Sequence, residues 1–263
     1  MSAADHRTSP ARAGPKTGLG APRQQAPQAL RQLENPASCY QTNVLGSLHV
    51  LEAARRERVR RVILASSCAV YGDHDGPVAE DAALRPMSIY ALSKLAMEDL
   101  ARFYQRVFGL ETVCLRFFNV YGPRQDVHSP YAAVVPLFIE SCLAGRPPMI
   151  HGDGRQSRDF VFVDDVVRAL LLASQVPALG GQTFNIARGE SGTLLELAES
   201  LRRLLPGSPD PVFGPARAGD IRWSAADIGR ATNVLGYRPA YDLHQGLRAT
   251  VEWMRTSERS SSE

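Results

Sequence analysis

Tyr90 and Lys94 stand four residues apart in SIYALSKLAMEDL, and Ser66 and Ser67 close the apolar run VILASS upstream of them. A phenol with pKa near 10 is a poor base at neutral pH, but a neighbouring ammonium favours the phenolate. Lys94 supplies that ammonium on the same helix face. A serine hydroxyl, best placed at Ser67, can hydrogen-bond the same substrate oxygen and relay its proton. The chemistry such a trio suits is proton abstraction from a secondary alcohol. That step needs a hydride acceptor, which no side chain provides, so a nicotinamide cofactor is implied. Lys16 and Lys94 are the only lysines among 30 basic residues. A chain that otherwise uses arginine keeps a lysine four residues after a tyrosine.

The elements around the trio must bring it together. Val62 to Ala65 is β-branched and apolar, as a buried strand is, and it delivers Ser66 and Ser67 to the carboxyl edge of the sheet. Open α/β sheets bind their ligands at that edge. A loop runs to Pro86, Ser88 caps a helix reaching about Phe108, and Gly109 suits a left-handed cap. Cys39 to Arg55 reads as an amphipathic helix with Val44, Leu48 and Leu51 on one face. Glu111 to Phe117 is the next strand, Asn119 follows it, and Tyr121, Gly122 and Pro123 make a turn. Tyr131 to Ala144 reads as a helix carrying Pro136, and Asp164 and Asp165 open another as N-terminal acids. FNIA gives a short strand, LLELAESLRRLL a helix, and two more helices end near Arg255. This alternation predicts an α/β fold, a Rossmann-like doubly wound parallel sheet.

Composition narrows the class. A 44 % hydrophobic content is that of a soluble globular protein, and a net charge of +3 over 263 residues gives no argument for a nucleic-acid partner, so none is expected. Cys39, Cys68, Cys114 and Cys142 are scattered, and the six histidines form no ligand array, so reduced thiols and no metal are expected. The longest apolar stretch, VVRALLLASQV, is far too short to span a bilayer. A cytoplasmic protein without a membrane partner is the expectation.

SSCAVYG, YALSK, LRFFNVYGPRQ, GDGRQSRDFVFVDDV and the ARAGD segment resemble the extended short-chain dehydrogenase/reductase superfamily, and within it the NAD-dependent nucleotide-sugar epimerase/dehydratase family. The resemblance runs from about Glu34 to about Arg255. It implies Ser67, Tyr90 and Lys94 as catalytic residues, with Ser66, Tyr90, Lys94 and Phe117 against NAD. It implies Asn119 as a sugar-nucleotide contact, and Arg158 and Arg217 as guanidinium forks on the substrate diphosphate, a geometry suited to bidentate phosphate binding. Asp220 either orients a ribose hydroxyl or caps a turn. Ser224 lies where a small side chain leaves room for an N-acetyl group at the sugar's C2. Asn43 matches a helix asparagine that helps position the active-site backbone. Family dehydratases place an acid pair just after the serine or threonine, and here Cys68 and Ala69 stand there. Epimerisation at C4 of a UDP-hexose or UDP-N-acetylhexosamine is therefore the expected reaction, in a homodimer.

Residues 1–33 are rich in Ala, Pro, Gly, Arg and Gln and should not bury enough surface to fold. The resemblance calls for a strand, a GxxGxxG turn and a helix at this end. Gly14, Gly18 and Gly20 follow no strand and have the wrong spacing. The expected organisation is an aberrant segment 1–33, half a dinucleotide-binding domain over 34–130, a small α/β substrate lobe with returning Rossmann elements over 131–255, and a polar tail over 256–263. On this reading the sheet is N-terminally truncated. Alternatives from other classes are a non-catalytic remnant that binds sugar nucleotide without NAD, and a family dehydratase or reductase.

Overall fold

The computed structural model describes residues 36–127, 133–217 and 220–260. The expectations for 1–33 and its glycine cluster, for Tyr131 and for 261–263 lie outside the described residues.

The first described element is a helix in three parts. It runs as α1 (Pro36–Tyr40), a π-helical turn (Gln41–Leu45) and α2 (Gly46–Arg56). Then β1 (Arg61–Ser67) leads through a long loop to α3 (Ile89–Phe108) and β2 (Glu111–Phe117). Ser88 caps α3 by accepting from the Ala91 amide, and Gly109 closes it at φ 69°. Both ends are where cap chemistry places them. β1 and β2 are parallel with Ser67 beside Phe117, and β2 pairs in turn with β6 (Gln182–Ile186). The sheet order is β1-β2-β6.

Both faces of this sheet are covered, which is why the middle of each strand is largely apolar. Alternation along β2 sends Val113 and Leu115 to one side, where α5 (Val163–Gln175) lays down Val166, Ala169 and Ala173. Cys114 goes to the other, against Leu51 and Ala54 of α2 and Met97, Ala101 and Tyr104 of α3. Each such fully buried aliphatic contributes about 1.5–3 kcal/mol.

Past β2, the chain forms β3 (Asn119–Tyr121), α4 (Val134–Leu143), β4 (Met149–His151) and β5 (Ser157–Phe162). Beyond β6 come β7 (Ser191–Thr193), α6 (Leu194–Leu204), β8 (Val212–Gly214) and α7 (Leu243–Ser260). β5 runs parallel to β3 but antiparallel to β7, so the strands beyond the Rossmann sheet are not all parallel. Residues of α4, α6 and α7 bury Phe138, Ile139, Leu197, Leu201, Leu247 and Val251 together in a second core. Here α7 continues to Ser260, so the expected polar tail is helical over its first residues. The chain thus folds as α/β layers with a parallel Rossmann-type sheet at their centre.

Candidate active site

The carboxyl end of β1 and the first turns of α3 meet as expected. Ser67 ends β1 in extended backbone and accepts from the Ala69 amide at 3.2 Å, capping the 3-10 turn Cys68–Val70. The Tyr90 phenol faces the Ser67 hydroxyl, and Lys94 Nζ lies 5.6 Å from the Tyr90 ring centroid. Burial raises the phenol above its ordinary value, and Ser67 opposes it. Lys94 is lowered by its own burial and donates to the Ala65 carbonyl at 2.8 Å. The expected pull of Lys94 on the phenol is therefore not the leading effect in this arrangement.

Ser66, one residue earlier, points the other way, because successive strand side chains alternate. Its hydroxyl is buried and donates to the Glu98 carboxylate. That directs the Ser66 side chain into the core, away from the cofactor contact the resemblance implied. Phe117 pairs with Ser67 in register and packs partly against the sheet core. Asn43, in the π-helical turn, donates to Ser93 Oγ at 2.9 Å, and Ser93 donates to the Tyr90 carbonyl at 2.7 Å. The helix asparagine thus holds the backbone that carries Tyr90.

A cleft of about 620 Å³ opens beside Tyr90, and Asn119, Arg158, Arg217 and Asp220 line it. Asn119 Nδ2 donates to the Asp159 carbonyl at 3.3 Å and to Ser224 Oγ at 3.4 Å. Ser224 sits below it, beside Cys68 in an adjoining small cavity. The Cys68 thiol is pushed up to about 11 by burial and stays protonated. Arg158 forms an ion pair with Asp220 and donates to the Ser157 and Ile221 carbonyls at 2.7 Å. Asp220 thereby orients Arg158, a role its sequence neighbours did not suggest. Arg217 is exposed at the cleft mouth.

Two glutamines that no spacing pattern singles out also belong to the cleft. Gln125 in YGPRQ and Gln156 in GDGRQS line the same cleft, and each holds a buried amide oxygen without a hydrogen-bond partner among the described residues. Gln125 donates to the Val120 carbonyl at 3.2 Å and Gln156 to the His151 carbonyl at 2.7 Å, which fixes both amides. Unfilled acceptors of this kind suit hydroxyl donors.

Beneath the cleft, Asp159 is fully buried and accepts from the Arg188 and Gly189 amides at 2.8 and 3.0 Å. Burial raises it to about 6. A carboxyl whose folded pKa is raised binds its proton more tightly in the fold, so its contribution to stability falls as pH rises from about 4 to about 6. The melting temperature of the wild type, relative to Asp159→Asn, should therefore drop as pH is raised from 4 to 7. A difference independent of pH would remove that assignment.

A parallel sheet that delivers a serine to a helix bearing Tyr-x-x-x-Lys, beside a polar cleft, places the chain among the extended short-chain dehydrogenase/reductases. More narrowly, residues 25–187 match the model of the NAD dependent epimerase/dehydratase family, and the chain belongs to it. A UDP-glucose 4-epimerase of Mycolicibacterium smegmatis is 41 % identical over 227 residues, 86 % of this chain and 72 % of that one. The structure of a UDP-N-acetylglucosamine 4-epimerase from Methanobrevibacter ruminantium, in complex with UDP-N-acetylmuramic acid, superposes with a TM-score of 0.84 at 36 % identity. That match covers 88 % of this chain and 74 % of the other. A Thermus thermophilus UDP-glucose 4-epimerase in complex with NAD aligns at a TM-score of 0.79 and 34 % identity, over 86 % of this chain and 74 % of its own.

Proposed function

We propose that the chain is an NAD-dependent 4-epimerase of UDP-hexoses or UDP-N-acetylhexosamines. The observation that carries this reading is the grouping of Ser67, Tyr90 and Lys94, with Tyr90 lining a cleft that also holds Arg158 and Arg217. The 4-epimerase relatives support it.

The residues present fit the nicotinamide end of NAD. Lys94 uses one of its three donors on Ala65, which leaves two for ribose hydroxyls at the sheet edge. Phe117, at the end of β2 beside Ser67, lies on the same edge. A glycine-rich cradle for the pyrophosphate is not among the described residues. NAD, when bound, supplies the acceptor and donor of hydride at C4. Tyr90 takes the C4 hydroxyl proton and Ser67 holds the same oxygen as it becomes a carbonyl. Arg217, exposed at the mouth, and Arg158, braced by Asp220, grip the diphosphate. Asn119 contacts the sugar nucleotide from the floor, and the amide oxygens of Gln125 and Gln156 receive hydroxyls while the oxidised sugar turns. Cys68 and Ala69, which follow Ser67, offer no acid and base for elimination of water, so epimerisation is favoured over dehydration.

Residues 34–130 act mainly on the cofactor side and 131–255 mainly on the substrate side. The apolar side chains left exposed on α3 and on the helix before β1, among them Tyr40, Leu45, Leu92, Phe103 and Val107, suit a second copy of the chain. A homodimer in the cytoplasm is part of this reading, and no described helix is long and apolar enough to cross a membrane.

The test is calorimetric titration of the full chain with NAD, followed by incubation with UDP-glucose or UDP-N-acetylglucosamine and chromatography of the products. Conversion to the galacto epimer is expected. NAD binding without conversion of either sugar would overturn the epimerase reading, and a folded chain that binds no NAD would favour the non-catalytic alternative. Ser224→Tyr should lower kcat/KM for the N-acetyl sugar about tenfold more than for UDP-glucose, since the side chain intrudes on one substituent only. Equal losses on both would remove Ser224 from specificity.

A further inference from the structure

We propose that the buried Arg116 and Glu98 pair, tethered to Ser66, is a positioning device that sets the roll of α3 against β1 and so holds Tyr90 opposite Ser67. This inference rests on the epimerase reading for its rate predictions, and on geometry alone for the contact it protects.

Glu98 lies two helical turns after Tyr90 and one turn after Lys94 on α3, and its side chain has no exposed surface. Arg116 of β2 meets it through two parallel bonds, Nε to Oε1 at 2.9 Å and Nη2 to Oε2 at 2.7 Å. The fork leaves Arg116 Nη1 for the Tyr71 hydroxyl at 2.8 Å and the Glu80 carbonyl at 3.1 Å. On the third side, the Ser66 hydroxyl donates to Glu98 Oε1. One carboxylate therefore ties together α3, β1 and β2, the elements that carry Tyr90 and Lys94, Ser67, and Phe117 with Asn119 beyond it.

The arrangement is costly as mere glue. Two desolvated charges contribute little net stability compared with apolar residues of like volume. What a bidentate pair adds is direction, because the planar fork accepts a carboxylate in one orientation only. A helix held by apolar contacts slides and rolls by fractions of a turn at small cost; one held by this fork does not. Ser66 is adjacent to Ser67 and faces the opposite side of β1. Its bond to Glu98 converts the position of α3 into the position of the serine that faces Tyr90. Displacement of reacting groups by about 1 Å lowers a rate by about a hundredfold.

Removing one charge alone would confuse misfolding with misplacement, so the test removes the whole device. In Ser66→Ala/Glu98→Leu/Arg116→Met the carboxylate, the guanidinium and the serine tether are all replaced by apolar groups, and the Tyr71 hydroxyl keeps Asn185 as a partner. The expected result is a folded protein melting within a few degrees of the wild type. Its nuclear Overhauser contact between the Tyr90 ring and the Ser67 β-protons should be lost. Its kcat should fall about a hundredfold with KM within about twofold. A purely structural role predicts the contact and kcat both unchanged in the folded variant, and that outcome overturns the proposal. Should the triple variant not fold, Ser66→Ala alone decides, since it cuts only the tether between β1 and Glu98. A weakened Tyr90 to Ser67 contact supports the device, and an intact one overturns it. The contact is read without turnover, so an inactive wild type would count against the epimerase reading and leave this test standing.

Discussion

Tyr90→Phe is expected to lower kcat for epimerisation by about 10²–10⁴-fold, with KM changed less than about threefold. In the proposed reaction the phenolic oxygen takes the proton of the substrate hydroxyl, and Phe keeps the ring while deleting it. The fold should not notice. Tyr90 is half-buried and Phe keeps its ring packing; the backbone carbonyl, which Phe retains, is what Ser93 holds. Denaturation midpoints of the variant and the wild type should agree within about 1 kcal/mol. The pH profile carries a second, independent expectation. Burial raises the phenol, so the basic form is scarce at neutral pH and kcat/KM of the wild type should climb as pH rises above 7. Residual activity of Tyr90→Phe should lack that climb. A variant with wild-type kcat and an unaltered profile would show that another group is the base.

Much of this site could be read in the chain because its parts are local. Ser66 and Ser67 end a β-branched run, Ser88 caps a helix, and Tyr90 and Lys94 share a face by helical periodicity alone. The parallel pairing of β1 and β2 likewise follows from strands apolar on both faces. What could not be read depends on distant residues or on orientation. Asp220 braces Arg158 from 62 positions away. Gln125 and Gln156 carry no signal in sequence, because what marks them is an amide oxygen buried at the cleft with no donor among the described residues. Two adjacent serines look alike in sequence, whereas the pleat sends the Ser67 side chain to the site and the Ser66 side chain to Glu98. The antiparallel β7 eluded the pattern because Ser191–Thr193 has no periodicity to read. Glu98 hides for a similar reason: a glutamate four residues after Lys94 looks like half of a solvent-exposed i,i+4 pair. In the fold, Lys94 turns to Ala65 and Glu98 turns inward to Arg116.

Glu98→Leu alone is expected to destabilise the protein by about 3–5 kcal/mol, measured by urea denaturation at pH 7. Leucine fills the space, so the loss does not come from a cavity. It comes from Arg116, whose guanidinium is 2 % exposed and would keep its charge with only the Tyr71 hydroxyl and the Glu80 carbonyl as acceptors. A charge so enclosed, stripped of its counter-ion, retains most of its desolvation cost. That loss is a large share of the roughly 5–15 kcal/mol that holds a domain folded. Adding Arg116→Met to Glu98→Leu removes the orphaned charge and should recover most of the stability, giving a coupling of several kcal/mol in the double-mutant cycle. Recovery of stability without recovery of kcat would separate what the ion pair does for folding from what it does for Tyr90. If Glu98→Leu cost under about 1 kcal/mol, water would have to reach Arg116 in the variant, and the pair could not be rigid enough to fix the helix.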